Sequence, residues 1–160
     1  MNKTNIKFNK HSLSLILEGR KTQTRRPVKP QPPKEFYQLL GSTSTGFVFS
    51  NMSRANPCEP NCLFEVECPY SVGQDLIVLD ELGVNSKIKI KVEDVSVESL
   101  NYISASDCFD EGMNPSGYDP CDIAEDAKDR FRDFWDTIYK ESEYEWSNNP
   151  FVFVIRFTVI

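Results

Sequence analysis

The chain has 160 residues, 39% of them hydrophobic and 26% charged, with a formal net charge of −6. That is the make-up of a globular protein long enough to bury a core. No apolar run approaches the roughly 20 residues that span a bilayer, and the stretch from Met1 to Lys7 lacks the apolar centre of a signal peptide, so a cytoplasmic protein with no membrane partner is expected. The charge is uneven: residues 1–40 hold nine Lys or Arg against two Glu, a balance of +7 that leaves −13 for the remainder. A basic N-terminal quarter on an acidic body points to a local anion site and argues against a protein coated for duplex DNA.

In chain order, Thr4–Phe8 suits a short strand. His11–Glu18 reads as a helix, since Leu13, Ile16 and Leu17 share one face, and Gly19 is a natural residue to end it. The next stretch, Gly19 to Pro27, packs Arg20, Lys21, Thr22, Gln23, Thr24, Arg25 and Arg26 together. It reads as a loop over a pocket for an anionic or strongly polar ligand. Four prolines between Pro27 and Pro33 imply an extended connection. Gly46–Ser50 and Leu63–Val66 look like paired strands, a hairpin-like insertion around 46–67, with an Asn- and Pro-rich loop from Asn51 to Asn61.

Asp75–Leu79 reads as a buried strand, and Lys87–Val92 alternates polar and apolar residues as a half-exposed strand does. Val95–Leu100 extends it after a bend. Ser104 followed by Asp107 is an acidic form of the capping box, which predicts a short helix over about 105–111. Asn114–Asp122 reads as loop. Ala124, Ala127, Phe131, Phe134, Trp135, Ile138 and Tyr139 then keep helical spacing, and this aromatic stripe reads as core. Phe151–Ile160 is a β-rich run opened by Pro150. Together these predict one α+β domain over 1–160, a mostly antiparallel sheet or small β-barrel with peripheral helices.

The five cysteines are Cys58, Cys62, Cys68, Cys108 and Cys121. An odd count in a cytoplasmic chain argues against a disulfide framework. Cys58, Cys62 and Cys68 offer three thiolates, but closed structural zinc sites take four ligands and the sole histidine, His11, is distant in sequence. Reduced thiols, no metal and no cofactor are expected.

Four separated motifs resemble the ASCH family, within the PUA-like β-barrels. Gly19-Arg20-Lys21-Thr22-Gln23-Thr24-Arg25-Arg26 is similar to its G-R-K-T-x-T-x-R signature. Cys68-Pro69-Tyr70 with Gly73 is similar to the strand entry of phage-type members. Ile103-Ser104, Asp107 and Glu111-Gly112 follow its third motif, and Phe134-Trp135-Asp136 with Asn149 to Phe157 follows its closing strand. The motifs run in family order over nearly the whole chain. The chain departs from the family at Gln74, Ile77 and Leu79, where Asp, Trp and Arg are usual, so a cation and an aromatic that could line a base pocket are missing.

The resemblance implies two functional classes: RNA binding, and removal of the acyl group from N4-acetylcytidine by an amidohydrolase that uses a Lys, a Thr and a Glu. Those three correspond here to Lys21, Thr24 and Glu111. Arg20, Thr22, Arg25, Arg26 and Tyr70 are the candidate ligand-binding residues. RNA or a nucleoside or nucleotide is thus the expected partner.

Chemically, Thr24 needs a base to become a nucleophile, and Lys21 can be that base only if burial or neighbouring cations lower its pKa. Glu111 can orient the amine or shuttle a proton, yet a tight pair with Lys21 would hold the amine charged. Backbone N–H groups over Gly19–Thr22 could form an oxyanion hole. Equally, Lys21 and Arg20 can hold phosphate, Thr24 can serve the turn, Glu111 can be a helix-end carboxylate, and Tyr70 can be core. A protein-interaction role would use the acidic helix over 124–141. The oligomeric state is not readable.

Overall fold

The computed structural model describes residues 4–51, 62–115 and 119–160. Strands β1 (Asn5–Lys7), β2 (Gln23–Pro27), β6 (Asp75–Leu79), β7 (Asn85–Ser99) and β8 (Phe151–Val159) form one sheet in the order β1-β6-β7-β8-β2. Strands β3 (Gln38–Ser42), β4 (Gly46–Ser50) and β5 (Leu63–Glu67) form a second, antiparallel sheet. Among the described residues only β1 and β6 pair in parallel. Three helices, α1 (Lys10–Leu17), α2 (Ala105–Asp110) and α3 (Pro120–Tyr139), complete a mixed α+β fold. None of the helices is long and apolar enough to cross a membrane.

Strand β8 organises the interior because alternate residues leave it on opposite faces. Phe153, Ile155 and Phe157 join Ile6, Leu76, Val78, Ile90 and Val92 of the large sheet and Phe47, Phe49 and Val66 of the small one. Phe49 meets Phe151 at 4.7 Å between ring centres, and Phe47 meets Phe153 at 6.0 Å. Val152 and Val154 pack instead against Phe131 and Trp135 of α3 and Cys108 of α2. The closing apolar run is therefore buried on both faces. Among the described residues no ladder joins the two sheets. The edge strands β1 and β2 are linked by a side chain, Arg26 donating to the Lys7 carbonyl at 2.7 Å.

Several elements differ from the sequence expectations. The Gly19–Arg26 segment is not a loop: its second half is β2, paired with β8 from Gln23 to Pro27, and Gln23, Thr24 and Arg25 are buried. Polar and cationic residues mask a strand whose apolar partner lies far away in the chain. β3 lacks alternation and is largely exposed, so no pattern announces it. β6 alternates, with Leu76 and Val78 buried and Ile77 partly exposed, where full burial was expected. α3 starts at Pro120, capped by Asp119, because proline and its cap open a helix before the apolar stripe begins. The bend before Val95 is a bulge between Val92 and Asp94 within the single long strand β7. Cys58 and most of the 51–61 loop lie outside the described residues, as do residues 116–118.

Candidate functional site

Three short-range devices set the site. Asn9 caps α1 by accepting from the Ser12 N–H at 2.8 Å. The predicted capping box of α2 is present, Ser104 and Asp107 bonding reciprocally, and it fixes the helix that ends at Glu111. Gly112 then turns the chain at φ +96°, where a Cβ would lie 2.7 Å from Leu15 Cδ1. Only glycine lets α2 end against α1 and swing Glu111 inward.

Lys21, just before β2, reaches Glu111. Its Nζ lies 2.5 Å from Glu111 Oε2 and 3.0 Å from the Glu111 carbonyl, and both side chains are 2% exposed. Arg25 donates to the other oxygen, Glu111 Oε1, at 3.2 Å, to Glu98 Oε1 at 2.6 and 3.0 Å, and lies 3.5 Å from Asp107 Oδ2. Gln23 donates to Asp107 at 3.2 Å. One guanidinium is thus shared by three carboxylates, a cluster in which removal of a single partner strands buried charge.

Burial pushes the Lys21 amine below its ordinary value; Glu111 pulls it back up, Arg25 and Arg26 push it down, and the net direction is down. Burial raises Asp107, but the Ser104 and Gln23 hydrogen bonds and Arg25 outweigh it, so its carboxyl sits below the usual range.

Lys21, Thr24, Arg25, Arg26 and Glu111 line one cavity of about 320 Å³, a size suited to a small molecule. Phe131, Phe134, Trp135, Ile138 and Tyr139 of α3 form an opposing wall, and Phe8, Asn9 and Ser12 another. Five of the eight residues singled out in the sequence therefore share a cavity. Arg20 does not: it is half-exposed and bonds Glu18 and the Gly112 carbonyl. Thr22 is exposed. Tyr70 is a core residue at the wall of two neighbouring cavities.

The expected oxyanion hole over Gly19–Thr22 is overturned. Gly19 N–H donates to the Ile16 carbonyl, Arg20 and Lys21 to Leu15, and Thr22 to Asp110, so none is left for a ligand. Asn9 and Ser12 were missed: the helix reading began at His11 and rested on the apolar face of Leu13, Ile16 and Leu17, and assigned neither residue a role. The aromatic stripe was visible, but its second use as a cavity wall was not. Among the described residues no group of three His, Cys, Asp or Glu is placed to hold a metal, and Cys68, Cys108 and Cys121 are free thiols.

No protein-family profile matches the chain, and no curated protein matches it. Solved structures of similar fold include the following two. One is an ASCH domain from Lactobacillus crispatus JV V101, with 17% identity, 93% of this chain and 70% of that chain covered, and a TM-score of 0.48. The other is a protein from Enterococcus faecalis V583 of the DUF984 family, with 15% identity, 100% and 82% covered, and a TM-score of 0.55. At such identities the likeness is one of fold. The likeness to the DUF984 protein is in keeping with the mixed α+β architecture described above.

Proposed function

We propose that this chain is a single phage-type ASCH domain, its two sheets being the halves of a PUA-like barrel, that takes RNA or a modified nucleoside or nucleotide into the Lys21 cavity and hydrolyses an N4-acylcytidine-type amide there. One observation carries the reading. A buried amine, held below its ordinary pKa by burial, shares a cavity with Thr24, which makes no side-chain hydrogen bond among the described residues.

A neutral Lys21 has two N–H donors, and it makes two bonds, both to Glu111. Its lone pair is then free to take the Thr24 proton as Thr24 Oγ attacks the acyl carbon. The carbonyl π pair moves to oxygen. On collapse the C–N bond breaks, and the proton on Lys21 passes to the departing amine nitrogen. Water then attacks the acyl-threonine ester, giving its proton to Lys21; collapse releases the acid and returns a proton to Thr24. Glu111 orients the amine throughout, and the aromatic wall of α3 suits a planar base.

The test is hydrolysis of N4-acetylcytidine and related acylated nucleosides by wild type and by Lys21→Ala, Thr24→Ala and Glu111→Gln. Turnover lost in all three variants is expected. No turnover by wild type would end the hydrolase reading for these substrates.

A second reading, a non-catalytic RNA-binding module, draws support from the same 2.5 Å Lys21–Glu111 contact, because a close carboxylate favours the charged amine. RNA affinity that falls steeply with salt would favour it. The protein-interaction reading has less support: along α3 the large exposed hydrophobic is Ile138, too little for a docking patch.

A further inference from the structure

Amide hydrolysis of this kind also needs a group that accepts charge from the acyl oxygen. The signature amides of Gly19–Thr22 are consumed inside the fold. The strand that follows is differently placed. Among the described residues β2 is the outer strand of its sheet, paired on one side only, with β8. The flanking bonds, Phe157 N–H to the Thr22 carbonyl and Val28 N–H to the Phe151 carbonyl, fix its parity. In an antiparallel ladder bonded and non-bonded pairs alternate, so Thr24 and Arg26 turn their backbone groups to β8. Gln23 and Arg25 turn theirs outward.

The cavity touches Thr24, Arg25 and Arg26 in succession. Consecutive side chains leave a strand on opposite faces, so a cavity that meets three in a row lies along the strand's edge, where the Arg25 N–H is directed. That N–H has no backbone or side-chain acceptor among the described residues, although Arg25 is only 2% exposed. Buried backbone donors are almost always paired, and one left open beside a reactive group suits a ligand oxygen. A second donor stands near it. Ser12, in the first turn of α1, is 3% exposed and lines the same cavity, and its hydroxyl makes no hydrogen bond among the described residues. The N-terminal end of α1 adds a favourable dipole for negative charge.

We infer that the Ser12 hydroxyl and the Arg25 backbone N–H together bind the acyl oxygen of the substrate and hold it as it becomes an oxyanion. The inference rests on the hydrolase reading for its catalytic half. Its binding half stands alone: the site takes a ligand carbonyl next to Thr24, so it prefers an N-acylated base to the parent base.

Ser12→Ala removes one donor without breaking an internal bond, so its thermal unfolding should match wild type. Its kcat on N4-acetylcytidine should fall roughly 10²–10³-fold, the usual loss for one oxyanion donor, with KM little changed. Replacing the Arg25 amide by an ester through semisynthesis should lower kcat in the same way. Full kcat in a folded Ser12→Ala protein would overturn the inference and leave the hydrolase reading intact. If wild type shows no turnover, that reading fails and binding decides. A preference for N4-acetylcytidine over cytidine that Ser12→Ala erases upholds the carbonyl site, and equal binding of the two by wild type overturns it.

Discussion

Of two cavities among the described residues, the larger is the poorer in chemistry. The one of about 440 Å³ lies among the β3–β4 turn, the end of β5 and the Tyr70–Val72 segment. It is lined by hydroxyls, by Cys68 and by a single charged side chain, Glu67. Burial raises the Cys68 thiol pKa, which makes it a poor nucleophile. The cavity of about 320 Å³ instead gathers Lys21, Arg25, Arg26 and Glu111 around Thr24. Volume alone therefore does not mark a chemically equipped site. A buried charge pair held by a scaffold that over-determines it does, because such groups persist only where they are fully partnered.

The largest effect is expected at Thr24, the proposed nucleophile, and its proposed base. Thr24→Ala and Lys21→Ala should each lower amide turnover by roughly 10²–10⁴-fold, the range for a positioned base or its proton donor. Ser71→Ala, on the wall of the larger cavity, should leave turnover at the wild-type level. Equal losses at both cavities, measured as kcat/KM, would show that the smaller one holds no special chemistry.

Next in size are two glycines, one behind each cavity. At Gly46 a Cβ would stand 1.9 Å from the Val66 carbonyl oxygen, a backbone atom of the paired strand. At Gly112 it would meet a movable Leu15 side chain at 2.7 Å, but at φ +96°. Gly46→Ala should therefore cost at least the roughly 1–3 kcal/mol of ordinary overpacking, read as a fall in the urea midpoint. Gly112→Ala should cost about 1–3 kcal/mol from backbone strain and, unlike Gly46→Ala, should also depress turnover, because it displaces Glu111.

How much of this was legible in the sequence follows from the range of the forces involved. The capping box of α2 is local, so Ser104 and Asp107 disclosed it. The α3 stripe is periodic, so Phe131 and Trp135 announced a buried face. Lys21, Thr24 and Glu111 were reached through motif resemblance, and their meeting in one cavity is consistent with it. What stayed hidden is non-local. Nothing near Gln23–Pro27 signals a strand, since its stabilisation comes from β8, over a hundred residues on. Likewise Ser12 reads as one more helical residue until the fold sets α1 and β2 on the wall of one cavity. The Gly19–Thr22 amides looked available only because their acceptors, Leu15, Ile16 and Asp110, come into place with the ends of α1 and α2.

The pH dependence sharpens the role of the buried amine. The proposed hydrolysis requires neutral Lys21, so on that reading kcat/KM should rise with pH through a Lys21 pKa that lies below 10.5. Stability should move the same way. Between the folded value and 10.5 the unfolded chain binds the proton that the folded chain has released, so unfolding free energy rises with pH over that window. Asp107 acts at the other end. Its folded pKa is lowered, so its stabilisation is complete above about 3.8 and is lost as pH falls through the folded value. Lys21→Met should flatten the alkaline slope and leave the acid limb unchanged, as followed by urea unfolding across pH.

The smallest effect is expected at Arg20, the cation of the signature that stands outside both cavities. It is half-exposed and leans on Glu18, an ion pair worth little in water. It also donates to the Gly112 carbonyl at 3.4 Å, which sets it one residue from Glu111 on the outer side. A free nucleoside in the cavity has no reason to reach it. The phosphate of a flanking nucleotide would. If RNA is the ligand, Arg20→Ala should reduce the slope of log affinity against log salt by about 0.7–1, the release of one counterion. An unchanged slope would place the bound strand away from Arg20 and confine recognition to a single nucleoside in the smaller cavity.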